Sequence, residues 1–236
     1  MPRIDAFAIG QQGPRPTMED RHLLRVDGSV AWGAIFDGHR GAEVAAYAAG
    51  MLPTLLGMDP GAALRTIEAG ARRLPGGACA ALFRLSGDHL QVANVGDVEL
   101  AVVTSDMVAT LTELHRLTNP AERERVAAAG AVIEDPYVID TASGQGLMPT
   151  RTLGDADFTH VGVSGEPHVW SGGFRNGWLI AACDGLWDVV EPEELPGLLV
   201  GEPDPERVAR RLVEEALRVR ESYDNVTVIA LRHSES

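Results

Sequence analysis

The sequence predicts an α+β fold in which antiparallel strands carry helices on their outer faces. Three observations lead there. Several short apolar runs, rich in branched residues, read as strands. Helical segments are interleaved with them, but without the strict strand–helix alternation of a doubly wound parallel sheet. Gly and Pro are spread as turn punctuation, and no repeat, low-complexity tract or linker interrupts the chain.

Taken in order, the first strand covers residues 31–36. Residues 41–52 follow as an Ala-rich helix with no breaker inside it. Residues 78–85 and 90–94 pair as a hairpin through Gly87-Asp88. Another strand spans 100–104. Asn119-Pro120-Ala121-Glu122 opens a helix with a cap and an early acid; Gly130 closes it. Strands at 178–183 and 226–231 flank a helix opened by Asp204-Pro205. That helix places Val208, Leu212, Val213, Ala216 and Leu217 on one apolar face.

The chain has 236 residues and is 45% hydrophobic, which suits one domain spanning 1–236 with a core large enough to dispense with disulfides. The formal net charge of −14 argues against nucleic acid or an anionic membrane as partner, since both call for a basic face. All 20 basic residues are Arg; with no Lys there is neither a Schiff-base lysine nor a P-loop lysine. Cys79 and Cys183 do not form a C-x-x-C pair and read as buried small hydrophobes. The start, Met1-Pro2-Arg3-Ile4-Asp5, has no apolar leader, and no run of 18 apolar residues occurs. A soluble cytoplasmic protein is the expectation.

The acids are the informative feature. Asp37, Asp97 and Asp184 each follow an apolar run and sit beside glycine, in Phe36-Asp37-Gly38, Val95-Gly96-Asp97 and Cys183-Asp184-Gly185. Asp224 precedes the last strand, and Glu19-Asp20 stand near the start. A lone Asp-Gly is a common turn. Several carboxylates brought together at strand ends repel one another and stay ionised only if cations compensate them. Oxygen donors of this kind suit Mg²⁺ or Mn²⁺ better than zinc.

Eight motifs in order resemble the metal-dependent Ser/Thr protein phosphatases, the type-2C or PPM family, from position 11 to position 229. Arg15-Pro16-Thr17-Met18-Glu19-Asp20 is similar to R-x-x-M-E-D, and Asp37-Gly38-His39-Arg40-Gly41 to D-G-H-x-G. Gly76-Gly77-Ala78-Cys79-Ala80 stands where the family has G-S/G-x-T-A, and Asn94-Val95-Gly96-Asp97 is similar to N-x-G-D. Residues 122–130 resemble E-x-x-R-I-x-x-A-G-G, and Arg151-Thr152-Leu153-Gly154-Asp155 resembles R-A-L-G-D. Cys183-Asp184-Gly185-Leu186-Trp187-Asp188 and Ser222-Tyr223-Asp224-Asn225-Val226-Thr227 close the series.

The resemblance implies a four-layer α-β-β-α sandwich, with helix pairs outside a central antiparallel β-sandwich. It implies two Mn²⁺ or Mg²⁺ ions, with Asp37 bridging both, the Gly38 carbonyl on one, and Asp184 and Asp224 on the other. Glu19 and Asp20 would act through waters. Asp97, with Asp184 and Asp188, resembles the acids of a third, weaker metal site. A bridging water would attack phosphorus in line, between cations about 3.5–4 Å apart. Arg15 would hold the phosphate and His39 would protonate the leaving oxygen. The implied partner is a phosphorylated protein and the implied state a monomer.

The chain departs from the pattern in places. Val98-Glu99 follow N-x-G-D where the family has Ser-Arg, and Leu114 replaces the acid that often precedes His115. His115 reads as part of the flap, and Arg151 and Asp155 as structural. The stretches between Gly41 and Gly76 and between Asp155 and Glu166 are short, so the helical layer and the flap are expected to be reduced. Reduced docking surface keeps open a small phosphorylated metabolite as substrate. A non-catalytic binding module is the reading from another class, although Asp37, Asp184 and Asp224 are all retained.

Overall fold

The structure is a computed structural model and describes residues 3–234. Of the Met1–Asp5 stretch expected to carry no apolar leader, Met1 and Pro2 lie outside the described residues.

Strands β1 (Arg3–Gln11), β2 (Arg21–Asp27) and β3 (Val30–His39) lead into helices α1 (Glu43–Met51) and α2 (Pro60–Ala71). Next come β4 (Gly77–Ser86), β5 (His89–Val95), β6 (Glu99–Val103) and β7 (Val108–Thr110). Helix α3 (Pro120–Ala128), the short strands β8 (Val132–Glu134), β9 (Tyr137–Asp140) and β10 (Gln145–Leu147), and β11 (Leu153–Gly154) follow. The chain ends through β12 (His168–Gly173), β13 (Gly177–Ala182), helices α4 (Asp184–Trp187), α5 (Leu195–Leu199) and α6 (Pro205–Glu214), and β14 (Val226–Ser234).

One sheet has the order β1-β14-β13-β6-β7 and the other β12-β5-β4-β3-β2, with β11 paired to β4. All of these pairings are antiparallel. Alternation of side chains across each strand builds the layers. In β4, Cys79, Ala81, Phe83 and Leu85 enter the core between the sheets, whereas Ala78, Ala80 and Leu82 face α1 and α2. In β14, Ile229 and Leu231 point between the sheets, and Val226, Val228 and Ala230 pack against α4, α5 and α6. Strands buried on both faces must be apolar at nearly every position. The result is the four-layer α-β-β-α arrangement.

The six interior strands are the six predicted from apolar runs. The four edge strands, β1, β2, β7 and β12, escaped that criterion because they are partly exposed and carry polar residues such as Arg21, Arg25 and Asp27. The predicted caps hold: Asn119 Oδ1 accepts from Ala121 N at 3.1 Å and Asp204 Oδ1 from Glu206 N at 2.9 Å. Asp59-Pro60 caps α2 in the same way, a signal left unread in the sequence. The short stretch before Gly76 therefore still holds a helix pair. The expected reduced flap carries α3 and a three-stranded sheet, β10-β9-β8, with a small core of its own around Val126 and Phe158.

Candidate active site

All the singled-out acids gather at one end of the β-sandwich. Asp37 and His39 close β3, Asp97 sits in the turn between β5 and β6, and Asp184 opens α4 directly after β13. Asp224 precedes β14, and Glu19 and Asp20 precede β2. Together they line or underlie a cleft of about 310 Å³, covered on one side by Gly146, Met148 and Pro149 of the flap.

Carboxylate oxygens of Asp37, Asp97 and Asp184 lie within 4.8 Å of one another. A second group, within the same distance, joins Asp37 to Asp20 and the Cys183 sulfur. Asp37 is common to both. The sulfur is already engaged, accepting from Thr227 N at 3.2 Å and donating to the Asn225 carbonyl. Asp20 Oδ2 accepts from the Thr227 hydroxyl at 2.7 Å.

Without cations this crowd is costly. Burial, then the neighbouring Asp184, Asp20 and Asp97, pushes the Asp37 carboxyl well above the ordinary range. Burial, then Asp97, Asp188 and Asp224, pushes Asp184 up to about 8. Divalent ions would reverse both effects by compensating the charge.

Backbone close approach makes the convergence possible. A Cβ on Gly185 would stand 1.9 Å from the Asn225 carbonyl oxygen. Asn225 itself donates to the Gln12 and Thr17 carbonyls and accepts from Glu19 N at 2.8 Å, pinning the Arg15 loop beside Asp224. Glu19 Oε2 accepts from Gly41 N at 3.2 Å. Gly38 lines the cleft, where a Cβ would stand 2.7 Å from the Glu19 carbonyl oxygen.

Arg15 donates from Nη2 to Asp224 Oδ2 at 2.5 Å and from Nε to the Tyr223 carbonyl at 3.1 Å. His39 Nε2 lies 2.6 Å from Asp155 Oδ2. Asp155 also receives Arg40, which reaches on to Asp157 and Gln145. Burial works to raise the Asp155 carboxyl, but the bonds from His39 and Arg40 hold it below the ordinary range.

The protein phosphatase 2C family profile matches residues 61–226. "Probable protein phosphatase 2C 47" of Oryza sativa subsp. japonica is 31% identical, with 98% of this chain and 70% of that protein aligned. "Protein phosphatase 1F" of Rattus norvegicus is 33% identical over 92% of this chain and 55% of its own length. The chain belongs to the protein phosphatase 2C family.

Solved structures share the fold of this protein phosphatase 2C chain. A Toxoplasma gondii serine-threonine phosphatase 2C superposes with a TM-score of 0.80 at 20% identity, over 98% of this chain and 95% of that one. A C. elegans sex determining protein gives 0.82 at 25% identity, over 97% and 64%.

A protein phosphatase 2C is a metal-dependent protein serine/threonine phosphatase, and the donor set here fits hard divalent cations: clustered carboxylates, with no histidine or free thiolate among them. No helix among the described residues is long and apolar enough to cross a membrane.

Three placements were not legible in the sequence. Asp155, read as structural, touches His39 directly. His115, read as flap structure, is buried behind the Asp97 turn, its Nδ1 accepting from Gly96 N at 3.0 Å. Arg116 reaches into the acid cluster, bonding Asp97 and Asp188, each at 2.7 Å, and Asp184 at 3.1 Å. Only the R-A-L-G-D resemblance could have flagged Asp155; nothing local marks Arg116.

Proposed function

We propose that this chain is a single catalytic domain that hydrolyses phosphoserine and phosphothreonine esters of proteins with Mn²⁺ or Mg²⁺. The convergence of Asp37, Asp97 and Asp184 carries this reading. Asp37, the Gly38 carbonyl, Asp184 and Asp224 would hold two cations, with Glu19 and Asp20 reaching them through water. When bound, such cations supply an activated water and neutralise charge on the phosphoryl oxygens.

The chain's own groups do the rest. Arg15 is anchored at Nη2 and Nε, and its Nη1 has no hydrogen-bond partner among the described residues, leaving it for a phosphoryl oxygen at the cleft. His39 lines the cleft and is held at Nε2 by Asp155, and its other nitrogen would serve the leaving oxygen. As the phosphorus–oxygen ester bond breaks, the proton from His39 neutralises the departing seryl or threonyl oxygen.

The deciding measurement is hydrolysis of a phosphothreonine peptide with and without Mn²⁺, beside Asp184→Ala. Metal-dependent turnover that the substitution abolishes is the expected result. Absence of turnover in the metal-loaded wild-type chain would sink the proposal.

A further inference from the structure

We propose that Arg116 is a tethered cation that fills the acid pocket beside the two-cation centre and keeps a third divalent ion out. The inference rests on the two-cation reading above and departs from the third metal site expected for Asp97, Asp184 and Asp188.

The geometry is that of a filled cation site. Nε donates to Asp97 Oδ2 at 2.7 Å, Nη1 to Asp188 Oδ1 at 2.7 Å and Nη2 to Asp184 Oδ2 at 3.1 Å. Nη2 also lies 3.4 Å from Asp188 Oδ2. A planar fork with five N–H donors serves three carboxylates at once from one rigid frame. The Arg116 side chain is only 15% exposed, and that of Asp97 only 4%. A divalent ion on the same three carboxylates would have to displace the guanidinium or sit against its charge in a partly dry site. Asp184 keeps its other oxygen, Oδ1, free of Arg116, so the pairing does not remove it from the two-cation centre.

The backbone holds this cation in place. Arg116 bridges to Pro149, and Thr150 N donates to the His115 carbonyl at 2.8 Å. On the other side, His115 N donates to the Gly96 carbonyl at 3.2 Å, and His115 Nδ1 accepts from Gly96 N. Leu114 contributes no carboxylate, and its carbonyl accepts from Asn119 Nδ2 at 3.1 Å. The guanidinium is thus fixed between the Asp97 turn and the flap segment at Pro149 that lines the cleft. As part of the chain it is always at hand for the pocket, whereas a divalent ion must arrive from solution.

The test is Mn²⁺ stoichiometry on the full chain, by titration calorimetry and by equilibrium dialysis with metal analysis. Wild type is expected to take up two ions per chain. Arg116→Gln, which removes the charge, is expected to take up a third, and Arg116→Lys, which keeps it, to remain at two. Three ions in wild type would overturn the inference, as would two in a folded Arg116→Gln protein with an unchanged circular dichroism spectrum. Should Arg116→Gln not fold, the wild-type count still decides between two and three. Wild type that takes up no Mn²⁺ would instead defeat the two-cation reading on which the inference stands.

Discussion

At the scale of single residues, the proposed proton donor His39 is held by Asp155. Asp155 fixes one ring nitrogen, so the orientation of His39 depends on a carboxylate 116 positions away in sequence. The fit is tight: a Cβ on Gly77 would fall 2.0 Å from Asp155 Oδ2 and 2.5 Å from His39 Nε2. His39→Asn is expected to lower kcat on a phosphothreonine peptide by about 10²–10⁴-fold. The loss on para-nitrophenyl phosphate should be far smaller, because a nitrophenolate leaves without a proton. Asp155→Asn should show the same substrate-dependent pattern at smaller size, with KM little changed. Equal losses on both substrates would exclude the proton-donor role. The same scale explains why Arg40 adopts a positive φ of 57°: the turn after β3 aims it at Asp155 and Asp157 while it stacks on Phe158.

At the scale of elements, one buried acid ties helix α3 to the segment that leads into β11. Glu122, in the first turn of α3, receives Arg125 at 2.6 Å, Arg151 at 2.7 Å and the Thr150 hydroxyl at 2.6 Å. Burial alone would raise its carboxyl, but the two guanidinium groups and the hydroxyl outweigh burial and hold it well below the usual glutamate range. A depressed folded value means stability that is complete above the unfolded glutamate range and is lost as pH falls toward the folded value. Glu122→Gln is therefore expected to cost about 2–4 kcal/mol at pH 7, since it leaves guanidinium groups without their buried partner. The gap should narrow below about pH 4.3, where the unfolded carboxyl takes up its proton. Denaturant unfolding at pH 7 and in mild acid measures both; a gap that widens in acid would refute the assignment. The motif that contains Glu122 was legible as a helix start, but its partners Thr150 and Arg151 lie 28 and 29 positions on.

At the scale of the whole molecule, stability rests on the core between the two sheets. Phe83 is fully buried there, opposite Gly33 on β3, where a Cβ would meet the ring at 2.2 Å. One strand gives up a side chain so that its neighbour can lay an aromatic ring across it. Phe83→Ala is expected to cost about 3–5 kcal/mol in urea unfolding of the metal-free chain, because the cavity cannot close against a strand with no side chain of its own. A cost below about 1 kcal/mol would show that the sheets collapse onto the gap.

The sequence by itself determined the interior of this protein and the inventory of its acids. Strands β3, β4, β5, β6, β13 and β14 are buried on both faces, and that demand is written locally, residue after residue, as continuous apolar runs. Asp37, Asp97, Asp184 and Asp224 stand out because each interrupts or borders such a run beside glycine or a turn. The edge strands were decided by the tertiary structure: β1, β2, β7 and β12 are partly exposed, and polar residues such as Arg21, Arg25 and Asp27 break up their apolar runs. The charges that answer the acids were also decided there. Arg116 meets Asp184 and Asp188 across 68 and 72 residues, and His39 meets Asp155 across 116. No local pattern encodes pairs of this span; they exist only once antiparallel pairing has carried the ends of distant strands to the same end of the sandwich.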